Sequence, residues 1–229
     1  MIKRLKAVGS DFRMLFTEWG EYYSEVFRWR EKQWMYFAGF ISVVMVAAYL
    51  DEPVRYLFFT IHGHLEDRIA GYVHWYGTGH ATLYAFLLVY ICGAVFASWK
   101  WRVRGMMILQ SYLYSGVITI ALKSIVGRWR PYTGRGHLMF SPMITGPNAH
   151  LSFPTGDAAV AFALSIVLAG YSRNIAWKIF WILVAVLTSL SRIYYDVHWF
   201  SDVVFSTVNA TVAAAWLVRR YGRKAGAAA

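Results

Sequence analysis

The sequence predicts an all-α fold, a bundle of six membrane-spanning helices with an N-terminal amphipathic helix at the membrane interface. Three observations carry that expectation. Of the 229 residues, 58% are hydrophobic and 15% charged, with a mean hydropathy of +0.40, whereas an average soluble domain carries roughly 25% charged residues. Six stretches contain no ionised side chain: residues 33–50, 78–99, 105–122, 158–172, 179–191 and 203–218. The basic residues are also unevenly shared between the connectors on alternate sides, 16 against 7 of the 23 Lys and Arg. The 16 Tyr, 15 Phe and 11 Trp are incompatible with a disordered chain. A single cysteine, Cys92, excludes a disulfide framework and any multi-cysteine zinc site.

Residues 1–32 hold seven basic and five acidic residues and no apolar run, so they are not a cleavable signal. Within them Phe12, Leu15, Phe16, Trp19, Tyr22, Tyr23, Val26 and Phe27 recur at three- and four-residue spacing. That is the pattern of an amphipathic helix on the cytoplasmic interface, either an anchor or a surface for a partner. A bilayer core about 30 Å thick needs about 20 helical residues. The first three uncharged runs, of 18, 22 and 18 residues, meet that requirement. The last three, of 15, 13 and 16, span only if their helices extend past polar ends, with Lys178 snorkelling from the fifth. Residues 33–219 then form one six-span domain and residues 220–229 a basic tail ending in a frayed Ala-Gly-Ala-Ala-Ala. Trp29, Trp34, Trp75, Trp99 and Trp199 fall near the expected span ends, as an aromatic belt would.

The positive-inside rule puts both termini in the cytoplasm. It also accounts for most of the net charge of +11, so the basic surplus reads as attraction to anionic membrane lipids and not to nucleic acid. All seven histidines, with Asp157, Asp196 and Asp202, lie on the opposite, periplasmic or extracellular side of the cytoplasmic (inner) membrane. The titratable chemistry is therefore concentrated on one membrane surface.

Three clusters stand there, at the outer ends of the last four spans. Lys123 closes the third span and is followed by Arg130-Pro131. Phe153-Pro154-Thr155-Gly156-Asp157 opens the fourth. The Thr155 and Gly156 amides, at the positive end of a helix dipole, make an anion site. Ser191-Arg192 precedes His198 and Asp202, which are four apart and share a helix face. A carboxylate so placed can hold one ring nitrogen and leave the other free to attack. Lys123, Arg130 and Arg192 supply three positive charges for a dianionic phosphoryl group.

These residues resemble the type 2 phosphatidic acid phosphatases, the membrane lipid phosphate phosphatases, over residues 33–219. That family's motifs are Lys-x6-Arg-Pro, Pro-Ser-Gly-His and Ser-Arg-x5-His-x3-Asp. The first is matched by Lys123, Arg130 and Pro131, the third by Ser191, Arg192, His198 and Asp202. The resemblance implies a lipid phosphatase in which His198 forms a phosphohistidine and Asp202 orients it. Lys123, Arg130, Arg192, Thr155 and Gly156 would bind phosphate, and neither a metal nor another cofactor is implied. The implied partner is a phosphorylated membrane lipid.

The second motif departs twice. Thr155 replaces Ser and keeps the hydroxyl, while Asp157 stands where the family has the His that protonates the leaving group. A carboxylate starts near pKa 4 and a helix N-terminus favours its ionised form. Three readings follow. Burial and phosphate charge fit Asp157 for acid duty; or His150 folds in as an auxiliary acid; or the leaving group needs no proton. The last favours polyprenyl diphosphates or the 1-phosphate of lipid A over phosphatidic acid, with phosphatidylglycerol phosphate also in the expected substrate class. A lipid phosphotransferase and a non-catalytic phospholipid binder are the alternatives, and a transporter is disfavoured because its ionisable residues belong near the midplane. His62-Gly63-His64 offers two metal nitrogens without an assured third ligand, Cys92 reads as packing, and Asp196 either joins the site or faces water.

Overall fold

A computed structural model describes residues 2–143 and 148–227, with side chains described for residues 8–143 and 148–221. Beyond Tyr221, the side chains of the basic tail lie outside the described residues. The described chain is helical: α1 Ile2–Ser24, α2 Glu31–Tyr49, α3 Asp51–Phe59, α4 His64–Tyr76, α5 Gly79–Val95, α6 Trp99–Val126, α7 Gly156–Tyr171, α8 Ile175–Tyr194 and α9 Phe200–Ala227. Each of the six uncharged runs falls mainly on one helix: residues 105–122, 179–191 and 203–218 lie wholly inside α6, α8 and α9, those at 33–50 and 158–172 end one residue beyond α2 and α7, and that at 78–99 breaks after Val95. The Lys100 to Arg104 connector expected from sequence is itself the first turn of α6. Its charges are accommodated by partners: Arg102 pairs with Asp11 at 2.8 Å, and Arg104 lies 4.6 Å from the Tyr171 ring centroid.

Local chemistry sets the breaks. Asp51 and Glu52 suit the first turn of α3, and Pro53 has no N–H to give the preceding turn. There α2 and α3 bend by 48°. A 52° bend joins α4 to α5, where the Thr78 hydroxyl accepts from the Ala81 amide and caps α5. Asn174 caps α8 through Ala176 N at 2.8 Å. By length and composition α6, α8 and residues 200–221 of α9 can each cross a membrane; counting each bent pair as one span makes five. Apolar α7 has only 16 residues, about 24 Å of helix, short of a bilayer core of about 30 Å.

The buried centre lies between α6, α7 and α9. Small residues on these helices, among them Ala158, Ala161, Ala163, Ala210, Ala213 and Ala214, are fully enclosed, which lets helix backbones approach closely. Ile179, Leu183 and Leu187 on α8, and Tyr84, Leu88 and Ile91 on α5, recur at helical spacing and stay exposed. Such apolar faces need an apolar surrounding.

At the opposite end from the Asp51, Asp157 and Asp202 carboxylates, α1 docks through polar groups as well as its apolar stripe. Leu15 is buried, and Tyr22 stacks on Tyr114 with ring centroids 5.0 Å apart. Buried Glu18 accepts from Arg220 Nε (2.9 Å), Tyr221 Oη (2.6 Å) and Gln110 Nε2 (3.1 Å). Phe16 and Phe27 remain exposed. Glu18→Ala strands three donors, so it should cost about 3 kcal/mol. The measurement is thermal unfolding in detergent together with trypsin cleavage at Arg28 and Arg30. Unchanged melting and cleavage would show that α1 is held by its apolar contacts alone.

Candidate active site

The site is built on a folded loop between α6 and α7. Gly127 caps α6 with φ of +59°, and a Cβ there would stand 1.9 Å from the Ser141 carbonyl oxygen. Only glycine allows that turn. The chain then runs extended: Trp129 N donates to Met139 O, Arg130 N to Ala149 O, and Ser152 N to Arg128 O. In an extended segment, residues two apart project to the same side. Arg128 and Arg130 therefore leave the loop together.

Arg128 goes to the interior and is 3% exposed. Its Nη2 donates to Asp51 Oδ2 at 2.6 Å and its Nη1 to Asp202 Oδ1 at 2.7 Å. Both carboxylates are fully buried. Asp51 also accepts from Ser201 N and Ser201 Oγ, each at 2.8 Å. Asp202 Oδ2 accepts from Ser152 Oγ and, at 2.9 Å, from Trp199 N. One guanidinium thus ties α3, the loop and the start of α9 together.

His198 sits beside this network, 4% exposed, with Nδ1 3.6 Å from Asp202 Oδ2. Closing by roughly 0.6 Å would make an ordinary hydrogen bond, and catalytic bonds are commonly long before substrate arrives. Burial, with the charges of Lys123 and Arg130, pushes the imidazole down to about 4 against the pull of Asp202. At neutral pH the ring is uncharged.

Around it the sequence-predicted residues converge. Lys123 Nζ donates to Leu151 O at 2.7 Å and shares an apolar cavity with Gly156 between α6 and α7. Thr155 is extended before α7, and its fully buried hydroxyl makes no bond in the structure. Among the described residues, six buried side-chain polar atoms lack a hydrogen bond, and four belong to this cluster: Arg130 Nε, Thr155 Oγ1, Arg192 Nε and His198 Nδ1. Buried polar groups are rarely left so; donors gathered at one helix N-terminus suit an anion. Arg192 Nε stands 2.9 Å from Asp157 Oδ2, close enough for ion pairing though not aligned as a hydrogen bond.

Other predicted residues fall elsewhere. His150 is buried in the loop wall, its ring 5.8 Å from that of Trp129. Asp196 forms a two-point pair with Arg55 of α3, both bonds at 2.7 Å. His62 stacks on Tyr194 at 4.2 Å, and Cys92 is half-buried in α5. Four residues that sequence reasoning left out of the site belong to it: Asp51, Arg128, Ser152 and His74, whose Nδ1 lies 2.6 Å from Arg192 Nη1. Arg128 had a signal, its two-residue spacing from Arg130; the others had none beyond the surplus of His and Asp on this face.

Fold and site together define a helical membrane protein with a buried histidine and a cluster of basic side chains gathered near the N-terminus of α7. Residues 104–225, more than half of the chain, match the model of the PAP2 superfamily. The chain belongs to that family, the type 2 phosphatidic acid phosphatases, and all three motifs lie in the matched region. Among solved structures it is similar to LpxE from Aquifex aeolicus, with TM-score 0.58 and 23% identity over 74% of this chain and 95% of that one. It is also similar to the transmembrane PAP2 type phosphatidylglycerolphosphate phosphatase from Bacillus subtilis, with TM-score 0.62 and 18% identity over 82% and 96%. Among curated proteins, none matches it in sequence.

The Arg128 fork makes a specific prediction. Arg128→Lys keeps the charge but cannot serve Asp51 and Asp202 at once. It should lose about 3–5 kcal/mol, the cost of breaking a buried pair, and should show a lower Tm and slowed phosphate turnover. Wild-type melting and turnover would show that the two carboxylates do not depend on the fork.

Proposed function

We propose that the chain is an integral-membrane lipid phosphatase that releases phosphate from a lipid phosphate or diphosphate through a phosphohistidine at His198. The observation that carries the reading is the buried neutral imidazole, with Asp202 on one side and the charges of Lys123 and Arg130 acting on it. His198 Nδ1–H turns to Asp202, and the Nε2 lone pair attacks phosphorus as the bond to the leaving oxygen breaks. Lys123, Arg130 and Arg192 hold the phosphoryl oxygens, with the Thr155 hydroxyl and the first amides of α7 completing the cradle. Water then displaces the phosphate from His198. No step uses a metal.

An apolar cavity of about 230 Å³ between α6 and α7 runs up to Lys123 and Gly156, lined by Leu113, Val117, Ile120 and Val160. It supports a substrate with a phosphate head and a hydrocarbon tail. In this reading the bundle crosses the cytoplasmic membrane six times, α7 completing its span through the polar loop before it. Both termini face the cytoplasm, α1 lies along the inner interface, and the site opens on the outer face. The phosphatidylglycerolphosphate named for the Bacillus subtilis neighbour is one member of the proposed substrate class.

Phosphate release by the detergent-purified chain from phosphatidic acid, phosphatidylglycerol phosphate, undecaprenyl diphosphate and lipid A tests this, with His198→Ala as control. Release should vanish in the control, and an acid-labile, base-stable phosphoenzyme should be trapped only in the parent. Release that persists in His198→Ala sinks the phosphohistidine. Because His198 stays unprotonated down to about 4, the acid limb of kcat/KM should follow the substrate phosphate, whose second ionisation lies near 6. A limb that stays near 6.5 across phosphate and thiophosphate ester substrates would instead assign it to an ordinary histidine.

A further inference from the structure

We propose that His74, on α4, is the proton donor to the leaving oxygen, held by Asp157 once bound phosphate has drawn Arg192 away. The inference rests on the phosphatase reading above and deepens it, because it names the acid and with it the range of leaving groups. Asp157 is 2.9 Å from Arg192 Nε; in that ion pair it is a carboxylate, with no proton to give. His74 stands against the same two residues, Nδ1 2.6 Å from Arg192 Nη1 and 3.8 Å from Asp157 Oδ2. The other neighbour facing it is Tyr195, with ring centroids 6.4 Å apart. The His74 side chain is 38% exposed, so one face of the ring remains open beside the phosphate cradle.

The placement is built, not incidental. Gly77, three residues on, lets α4 press against the start of α7: a Cβ there would meet Asp157 O at 2.9 Å and Thr188 Cγ2 at 2.6 Å. Thr188 Oγ1 on α8 donates to Val73 O at 2.9 Å. Tyr194 Oη donates to Asp67, about two helical turns before His74 on α4. These contacts fix the register of α4 so that His74, of all its side chains, reaches the Arg192–Asp157 pair.

The chemistry follows from the donor inventory. Arginine can only donate, so in the structure His74 Nδ1 is an acceptor and its proton sits on Nε2. When a phosphate draws Arg192 onto its oxygens, Nδ1 is released beside Asp157 and can take up a proton. The imidazolium is then paired with a carboxylate, with Nε2–H directed to the cleft. As His198 Nε2 bonds to phosphorus and the P–O bond breaks, the leaving oxygen takes the Nε2 proton, and neutral His74 keeps Nδ1–H on Asp157. In the second half, water attacks phosphorus, the P–N bond breaks, its electron pair returns to His198, and the water proton goes to His74 Nε2. Protons balance over the cycle, and Asp157 remains a carboxylate throughout. A site so equipped does not need a diphosphate leaving group, so simple alkyl phosphate lipids fall within its range.

The test compares dioctanoyl phosphatidic acid, whose alkoxide must be protonated, with 4-nitrophenyl phosphate, whose phenolate leaves unaided. His74→Ala should slow the alkyl phosphate by about 10²–10⁴-fold, with a loss on the aryl phosphate smaller by at least about tenfold. The alkaline limb of the alkyl pH profile should disappear. His74→Asn keeps an acceptor for Arg192 but has no proton to give, and should be as slow as His74→Ala on the alkyl phosphate while melting like the parent. Restored alkyl turnover in His74→Asn would reduce His74 to a brace and overturn the proposal, as would equal losses on the two substrates. His198→Ala separates the two readings: it should abolish both activities. If it does not, the phosphohistidine fails whatever His74 does; if the parent turns over neither substrate, the phosphatase reading and the acid fall together.

Discussion

Everything at the candidate-site end of the bundle hangs on one guanidinium. Arg128 is shared by two fully buried carboxylates, Asp51 and Asp202, and each of the three charges would be expensive to strip of water alone, several kcal/mol after relaxation. Together they are tolerable only in one geometry, because the planar fork of arginine matches two carboxylates in fixed directions. That requirement sets the positions of three chain segments far apart in sequence. It also occupies one oxygen of Asp202 completely, leaving the second, with Ser152 and Trp199 donating to it, as the face turned to His198. A buried ion pair is weak evidence for stability; here its value is orientation, since a nucleophile with one preferred ring nitrogen needs a carboxylate that cannot turn.

The two ends of the bundle solve the same problem with different partners. At the α1 end, Glu18 collects Arg220, Tyr221 and Gln110, and Asp11 collects Arg102 and Tyr90. Between the ends, the helices meet through alanines and present large apolar side chains outwards. Polar networks at both termini with an apolar girdle between them is what a bilayer demands, since unsatisfied polar groups are costly in hydrocarbon. Among the described residues, four of the six buried side-chain polar atoms without a hydrogen bond belong to Arg130, Thr155, Arg192 and His198 at the candidate-site end, and Arg104 Nε lies near the α1 end. That contrast separates a structural network from a functional one.

Sequence reading located the six apolar helices because composition and run length are local signals. It located Lys123, Arg130, Thr155, Gly156, Arg192, His198 and Asp202 because their spacings form motifs. It could not see α3 and α4 as helices, since both are short, and Asp51, Arg55, Glu66, Asp67 and Arg68 interrupt the apolar pattern that marks a helix. Nor could it see Asp51 with Arg128, or His74 with Arg192, pairs whose members are 77 and 118 residues apart. Such pairs are products of helix packing, and no periodicity announces them. Asp196, which the sequence left open between joining the site and facing water, is paired with Arg55 and braces the loop before His198.

The site therefore combines a clamp that stays with one that exchanges. Arg128 makes every bond it can and is enclosed by protein, so it has no freedom to meet a ligand. Arg192 is less committed: its contacts are Asp157 and His74, both partly exposed, and its Nε is not aligned with either. A phosphate dianion offers Arg192 stronger, two-point bonding, so binding competes with these contacts and not with the Arg128 network. The released partners are an acid–base pair by composition. In the proposed reading Asp157, which stands where the family motif has His, gives up a proton donor on α7 and supplies the carboxylate that His74 of α4 needs. In that reading the two residues act only together, His74 supplying the proton and Asp157 the charge that stabilises it once Arg192 has moved.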